Sequence, residues 1–91
     1  MLEFEWDPNK HERNIREKAF GFEVAARIFE GKVIERQDVR FDYAEVRMIA
    51  VGQVDGRFLT VVYTIRDGKR RIIAAWPANR KERRLWQNLQ E

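Results

Sequence analysis

The chain has no cysteine, only two prolines and a single histidine in 91 residues. Without thiols there is no disulfide framework, no thiolate nucleophile and no cysteine-bound zinc, and one histidine, His11, cannot supply a histidine-based metal cage. No apolar run approaches the ~20 residues that a membrane helix needs. The opening Met1-Leu2-Glu3-Phe4-Glu5-Trp6 is acidic where a secretory signal would be basic and then apolar. The expectation from these absences is a cytoplasmic protein that uses no metal or other cofactor and no membrane. Internal repeats and linker-like tracts are also missing, so residues 1–91 read as one domain.

What is present is a foldable mixture, 44% apolar and 36% charged, with its charge unevenly placed. The net charge of +3 divides into −3 over residues 1–56 and +6 over residues 57–91, and thirteen of the eighteen basic residues are arginine. Arginine's planar fork suits bidentate contact with phosphate or carboxylate. A polyanion or an acidic protein is therefore the first partner to consider.

Leu2 to Trp6 alternates with period two and predicts a strand with Leu2, Phe4 and Trp6 facing a core. Asp7 as N-cap and Pro8 at the first helical position start a polar helix over Pro8–Lys18, with Ile15 and Ala19 as its apolar contacts and His11 in solvent. Phe22, Ala25, Ala26 and Phe29 mark the stripe of a second helix that Gly31 closes in a left-handed conformation. Val33-Ile34 can form a short strand, followed by a polar stretch over Glu35–Ala44 that reads as a loop or an irregular strand. Two Asp-Gly pairs, 55–56 and 67–68, flanked by β-branched runs, predict a three-stranded antiparallel meander over Val46–Trp76. On its last strand Arg71, Ile73 and Ala75 share one face, and Arg70, Ile72, Ala74 and Trp76 the other. Asn79 and Glu82 form a capping box for a final helix that turns Glu82, Leu85, Trp86 and Leu89 inward. The fold class is α+β: an antiparallel sheet, the meander plus the N-terminal strand, with two N-terminal helices and one C-terminal helix covering one face.

The densest chemical feature is basic: Arg57, Arg66, Lys69, Arg70, Arg71, Arg80, Lys81, Arg83 and Arg84 lie on strand ends, a hairpin tip and the last helix. Converging, they would bind phosphates; separately, they would only keep the domain soluble. Phe41, Tyr43, Trp76 and Trp86 could stack unpaired bases or simply fill a core. RNA hydrolysis asks only for a base, a cation beside the phosphate and an acid, and no metal. Glu45, Lys18 and His11 are the candidate bases, and Arg47, Arg66, Arg71 and Arg83 the candidate clamps. Glu45 and Arg47, two apart on a strand, fit an ion pair equally well.

Taken together, Phe4-Glu5-Trp6-Asp7-Pro8-Asn9-Lys10 with Asn14, Phe22 to Phe29, Glu45-Val46-Arg47 before Ile49-Ala50-Val51-Gly52, Val61 to Thr64, Arg71 to Ala75 and Glu82-Arg83-Arg84 resemble the BrnT toxins, in order and over nearly the whole chain. The resemblance implies a RelE-like fold and a metal-independent endoribonuclease of a type II toxin–antitoxin pair that cuts RNA and arrests growth. It also implies a BrnA-like antitoxin that neutralises the toxin and links it, indirectly, to operator DNA. The chain departs from the family pattern at Glu17-Lys18-Ala19, where Lys-His-Gly is usual, and at Ala74-Ala75-Trp76, where Ser-Ala-Arg is usual; Trp86 replaces a tyrosine.

The site residues expected on this reading are Lys18, Glu45, Arg47, Arg71 and Arg83 for catalysis and Arg66, Arg70, Trp76 and Arg80 for RNA contact. Two alternatives stay open: an interaction module with little or no activity that works only through its antitoxin complex, and a free-standing nucleic-acid binder.

Overall fold

The two Asp-Gly pairs dictate the centre of the fold. Asp55 and Gly56 take φ of 50° and 81°, and Asp67 and Gly68 take 52° and 77°, the left-handed conformation at both turn residues that matches the twist of a tight hairpin. In a computed structural model that describes residues 2–88, these turns join β3 (Met48–Val54), β4 (Arg57–Arg66) and β5 (Lys69–Pro77) into an antiparallel meander. The sheet has five strands rather than four, because β2 (Ile34–Gln37) pairs antiparallel with β3. Its polar, largely exposed sequence is that of an edge strand, which is why it reads as a loop or an irregular strand. β1 (Phe4–Trp6) pairs parallel with β5, so the sheet, in the order β1-β5-β4-β3-β2, is mixed and not purely antiparallel.

Three helices complete the α+β architecture. α1 (Pro8–Lys18) starts as expected, with the Asp7 carboxylate accepting from the Asn9 N–H at 2.8 Å. Its inward side is polar, however: Ile15 and Ala19 are exposed, and Asn14 is buried. His11 is not a solvated residue. Its Nδ1 accepts from the Phe22 N–H at 3.1 Å and its ring stacks on Trp6, so it satisfies one of the free N–H groups that open the second helix. That helix, α2, spans only Phe22–Ala25 before tightening into a 3₁₀ turn over Ala26–Glu30. The buried stripe is thereby Phe22, Ala25 and Ile28, at a spacing of three. Gly31 follows in extended, not left-handed, backbone.

The core lies between this segment and one sheet face: Phe22, Ala25 and Ile28 pack on Ala50, Val54, Leu59, Val61, Tyr63, Ile72 and Ala75. A side chain at Gly52 would put its Cβ 2.8 Å from that of Ile28, so glycine sets how closely the 3₁₀ turn approaches the sheet. α3 (Arg80–Asn88) lies on the opposite face, with Trp86 against Phe58 and Leu85 beside Ile49 and Val51. Helices thus cover both faces rather than one. The Asn79–Glu82 capping box forms, with two bonds of 2.8 Å; Leu89 lies outside the described residues. Leu2 is half-exposed and does not join Phe4 and Trp6 against the core. No helix among the described residues is long and apolar enough to cross a membrane.

Two substitutions test these constraints by thermal denaturation. Ala19 caps α1 at φ 70°, a conformation that costs a residue with a Cβ about 1 kcal/mol. Ala19→Gly should therefore raise Tm by about 4–8 °C, the shift that a gain of this order gives in a domain of this size. Gly52→Ala, which must push Ile28 away, should lower stability by about 1–3 kcal/mol.

Candidate functional site

One irregularity decides which β5 side chains share a face. Val62 pairs with Ala74 and Tyr63 with Ile72, so Ile73 has no partner on β4. This extra residue breaks the alternation expected from sequence. Ile72 and Ala75 both enter the core, while Arg71, opposite Thr64, and Trp76, opposite Thr60, fall on the other face together. There Arg71 donates to the Glu5 carboxylate at 2.7 Å, in register with β1.

The same face continues past the start of β3. Thr64 donates its hydroxyl to the Val46 carbonyl at 2.7 Å, tying β4 to the segment that carries Glu45 and Arg47. The Glu45 carboxylate accepts from Arg47 Nε at 3.1 Å and lies 3.8 Å from Arg66. One acidic group thus sits between two guanidiniums. Glu5, Glu45, Arg47 and Arg71 each keep 26–31% of the side chain in solvent, and Arg66 more, so the row is open to a ligand.

The loop before this row is ordered by a buried anion. Asp38 is 5% exposed and accepts from Arg40 Nε and Nη2, both at 2.8 Å, from the Arg40 N–H and from the Tyr43 hydroxyl. The Arg40 guanidinium holds this carboxyl well below the usual carboxylate range, against the opposing effect of burial. Tyr43 in turn supports Arg47, whose guanidinium carbon lies 4.1 Å above the ring centre. Asp38 therefore positions Arg47 through Tyr43.

The other residues expected to act do not join the row. Arg70 lies on the core side, with its guanidinium carbon 4.9 Å from the Phe29 ring centre and 5.3 Å from that of Tyr63, and its buried Nε has no partner among the described residues. Lys18 closes α1 and lines a separate cleft with Trp76. Arg80 and Arg83 are exposed on α3. Glu45, Arg47 and Arg66 are thus brought together, with Arg71 one strand away beyond Thr64. A single cationic hollow does not form, because each of these arginines faces a carboxylate.

Glu5, Asp38 and Thr64 escaped the reading of the sequence as site residues, and Tyr43, considered there as a stacking platform, instead supports Arg47. Of the three that escaped, only Glu5 had a visible signal, its alternation with Phe4 and Trp6; the others act through pairings that no local pattern encodes. Among the described residues, no group of three or more His, Asp or Glu is placed to hold a metal ion.

Chemically, the row can hold a phosphodiester on its guanidiniums with a carboxylate beside it to take a proton. Comparison with protein families concerns the chain as a whole. The model described as "Ribonuclease toxin, BrnT, of type II toxin-antitoxin system" matches residues 6–82. No curated protein matches the chain.

The Asp38 network fixes a pH dependence. Because its carboxyl titrates lower in the folded protein than in the unfolded chain, its stabilisation is fully present above the unfolded value of about 3.9 and is lost as pH falls below it. Asp38→Asn should flatten that acid-side loss in urea titrations between pH 5 and about pH 2 and make the 38–47 loop more sensitive to protease at pH 7. Unchanged loop protection would refute the positioning role.

Proposed function

The chain belongs to the BrnT family of ribonuclease toxins from type II toxin–antitoxin systems, and from that premise we propose that it cuts single-stranded RNA at the Glu45–Arg47–Arg66 row without a metal ion. The observation that carries this reading is one carboxylate held between two guanidiniums where the loop before β3 meets the end of β4. Exposed ion pairs of this kind are worth about 0–1 kcal/mol, so a phosphodiester can take the arginines over from Glu45. The freed carboxylate then lies beside the bound phosphate, where it accepts the 2′-OH proton. The 2′-oxygen attacks phosphorus, the bond from phosphorus to the 5′-oxygen breaks and that oxygen takes a proton from water, while Arg47 and Arg66 neutralise the charge that builds on the phosphoryl oxygens. Arg71, once Glu5 yields to the RNA, adds a further cation along the strand.

On the same reading the protein arrests growth in the cytoplasm, and a BrnA-like antitoxin neutralises it and connects the pair to operator DNA. A second reading draws on the same ion pairs: with every arginine of the row neutralised, the surface serves as an interaction module that binds the antitoxin and cuts nothing.

Purified protein incubated with RNA in EDTA separates the two. We expect cleavage to persist in EDTA, to fall by about 10²–10³ in Glu45→Gln and by a similar factor in Arg47→Ala. Cleavage abolished by EDTA, or equal to wild type in both variants, would overturn the mechanism. No cleavage at any protein concentration, with antitoxin binding intact, would establish the module.

A further inference from the structure

A second place in the fold gathers cations that have no ion-pair partner among the described residues. Beyond Trp6 the edge of β5 has no strand beside it, since β1 pairs only with Arg70 to Ile72. α1 runs past this open edge instead and leaves a cleft of about 320 Å³. Lys10, Arg13 and Lys18 line it from the helix, and none of the three has an ion-pair or hydrogen-bond partner among the described residues. Glu17 is the cleft's one carboxylate, so its net charge is positive.

Two further groups suit a ligand that is more than an anion. Trp76 forms part of the wall, its indole N–H directed to Glu82 at 3.3 Å, which fixes the ring and leaves its π-face for stacking. Asn14, 9% exposed, donates its amide to the Phe20 carbonyl at 2.9 Å, and its Oδ1 has no partner among the described residues. Cations for phosphate, a fixed aromatic face and an oriented acceptor are the three contacts that one nucleotide of a single strand calls for. The bulge at Ile73 puts Trp76 on the same face of β5 as Arg71, so these two side chains leave the strand on one side of the sheet.

We propose that the α1–β5 cleft is a nucleotide subsite: Lys10, Arg13 and Lys18 hold a phosphate, Trp76 stacks the base, and Asn14 accepts from a base or ribose donor. The subsite rests on the ribonuclease reading and extends it, because it grips RNA away from the point of cleavage and sets which nucleotide sits there.

The test is the affinity of the full chain for a labelled 2′-O-methyl oligonucleotide, which cannot be cleaved, measured by fluorescence anisotropy across a salt series. Circular dichroism melts accompany every variant. Arg13→Gln with Lys18→Gln should flatten the slope of log K against log salt by at least about 0.7, the share of one single-strand phosphate contact. Trp76→Leu should weaken binding about tenfold at unchanged slope, and Trp76→Phe, which keeps a ring but loses the bond to Glu82, should stay within about threefold of wild type.

Equal losses in the Leu and Phe variants would overturn the stacking role. A wild-type slope and affinity in all variants of a protein that still cleaves RNA would overturn the subsite alone. A protein that neither binds the probe nor cleaves RNA would overturn both the subsite and the reading beneath it.

Discussion

The three-residue parallel pairing of β1 with β5 is the constraint from which the working surface follows. It joins positions 66 residues apart, bringing Glu5 to Arg71. Stopping at Trp6, it directs the chain through Asp7 and Pro8 into α1 alongside the unpaired remainder of β5. Backbone bonds in so short a ladder contribute about 1 kcal/mol each. Phe4 and Trp6, which pack on Phe29 and Phe22, are partly buried and contribute less than the roughly 1.5–3 kcal/mol of a fully buried side chain. Aromatic packing thus adds to the ladder in holding the strand that brings Glu5 to Arg71 and ends where the cleft opens.

Two groups of cations near the row and the cleft have different physical roles. Arg47, Arg66 and Arg71 are matched to carboxylates, and their charge becomes available only by exchange with an incoming anion. Lys10, Arg13 and Lys18 on α1 have no ion-pair partner among the described residues and can attract a polyanion from a distance that salt shortens. Arg70 belongs to neither group: pinned over Phe29 and Tyr63, it is a structural cation whose buried Nε has no partner among the described residues.

Signals confined to a few neighbouring residues were legible in the sequence. Asp7-Pro8, Asn79 with Glu82 and the two Asp-Gly pairs act within a turn, and each formed the cap or hairpin expected. Signals requiring a partner elsewhere were not. β2 exists because β3 offers it an edge, His11 is half-buried because α2 needs an acceptor, and Trp76 faces with Arg71 because of one unpaired residue at Ile73. Among the site residues, Glu45 and Arg47 were legible as a pair from their spacing. Lys18 and Trp76 were singled out separately, and only the topology shows that they share a cleft; Arg70 was misplaced because alternation gives a face but not what covers it.

The left-handed turns at 55–56 and 67–68 also order events during folding. Hairpins closed by two residues form within microseconds, so the meander can assemble from contacts close in sequence before either end of the chain is placed. β1 must instead close a loop spanning most of the molecule, the slowest kind of contact to make. The nascent chain thus acquires Arg71 and Trp76 on a formed hairpin first, and the row and cleft around them are completed only when the amino-terminal strand docks.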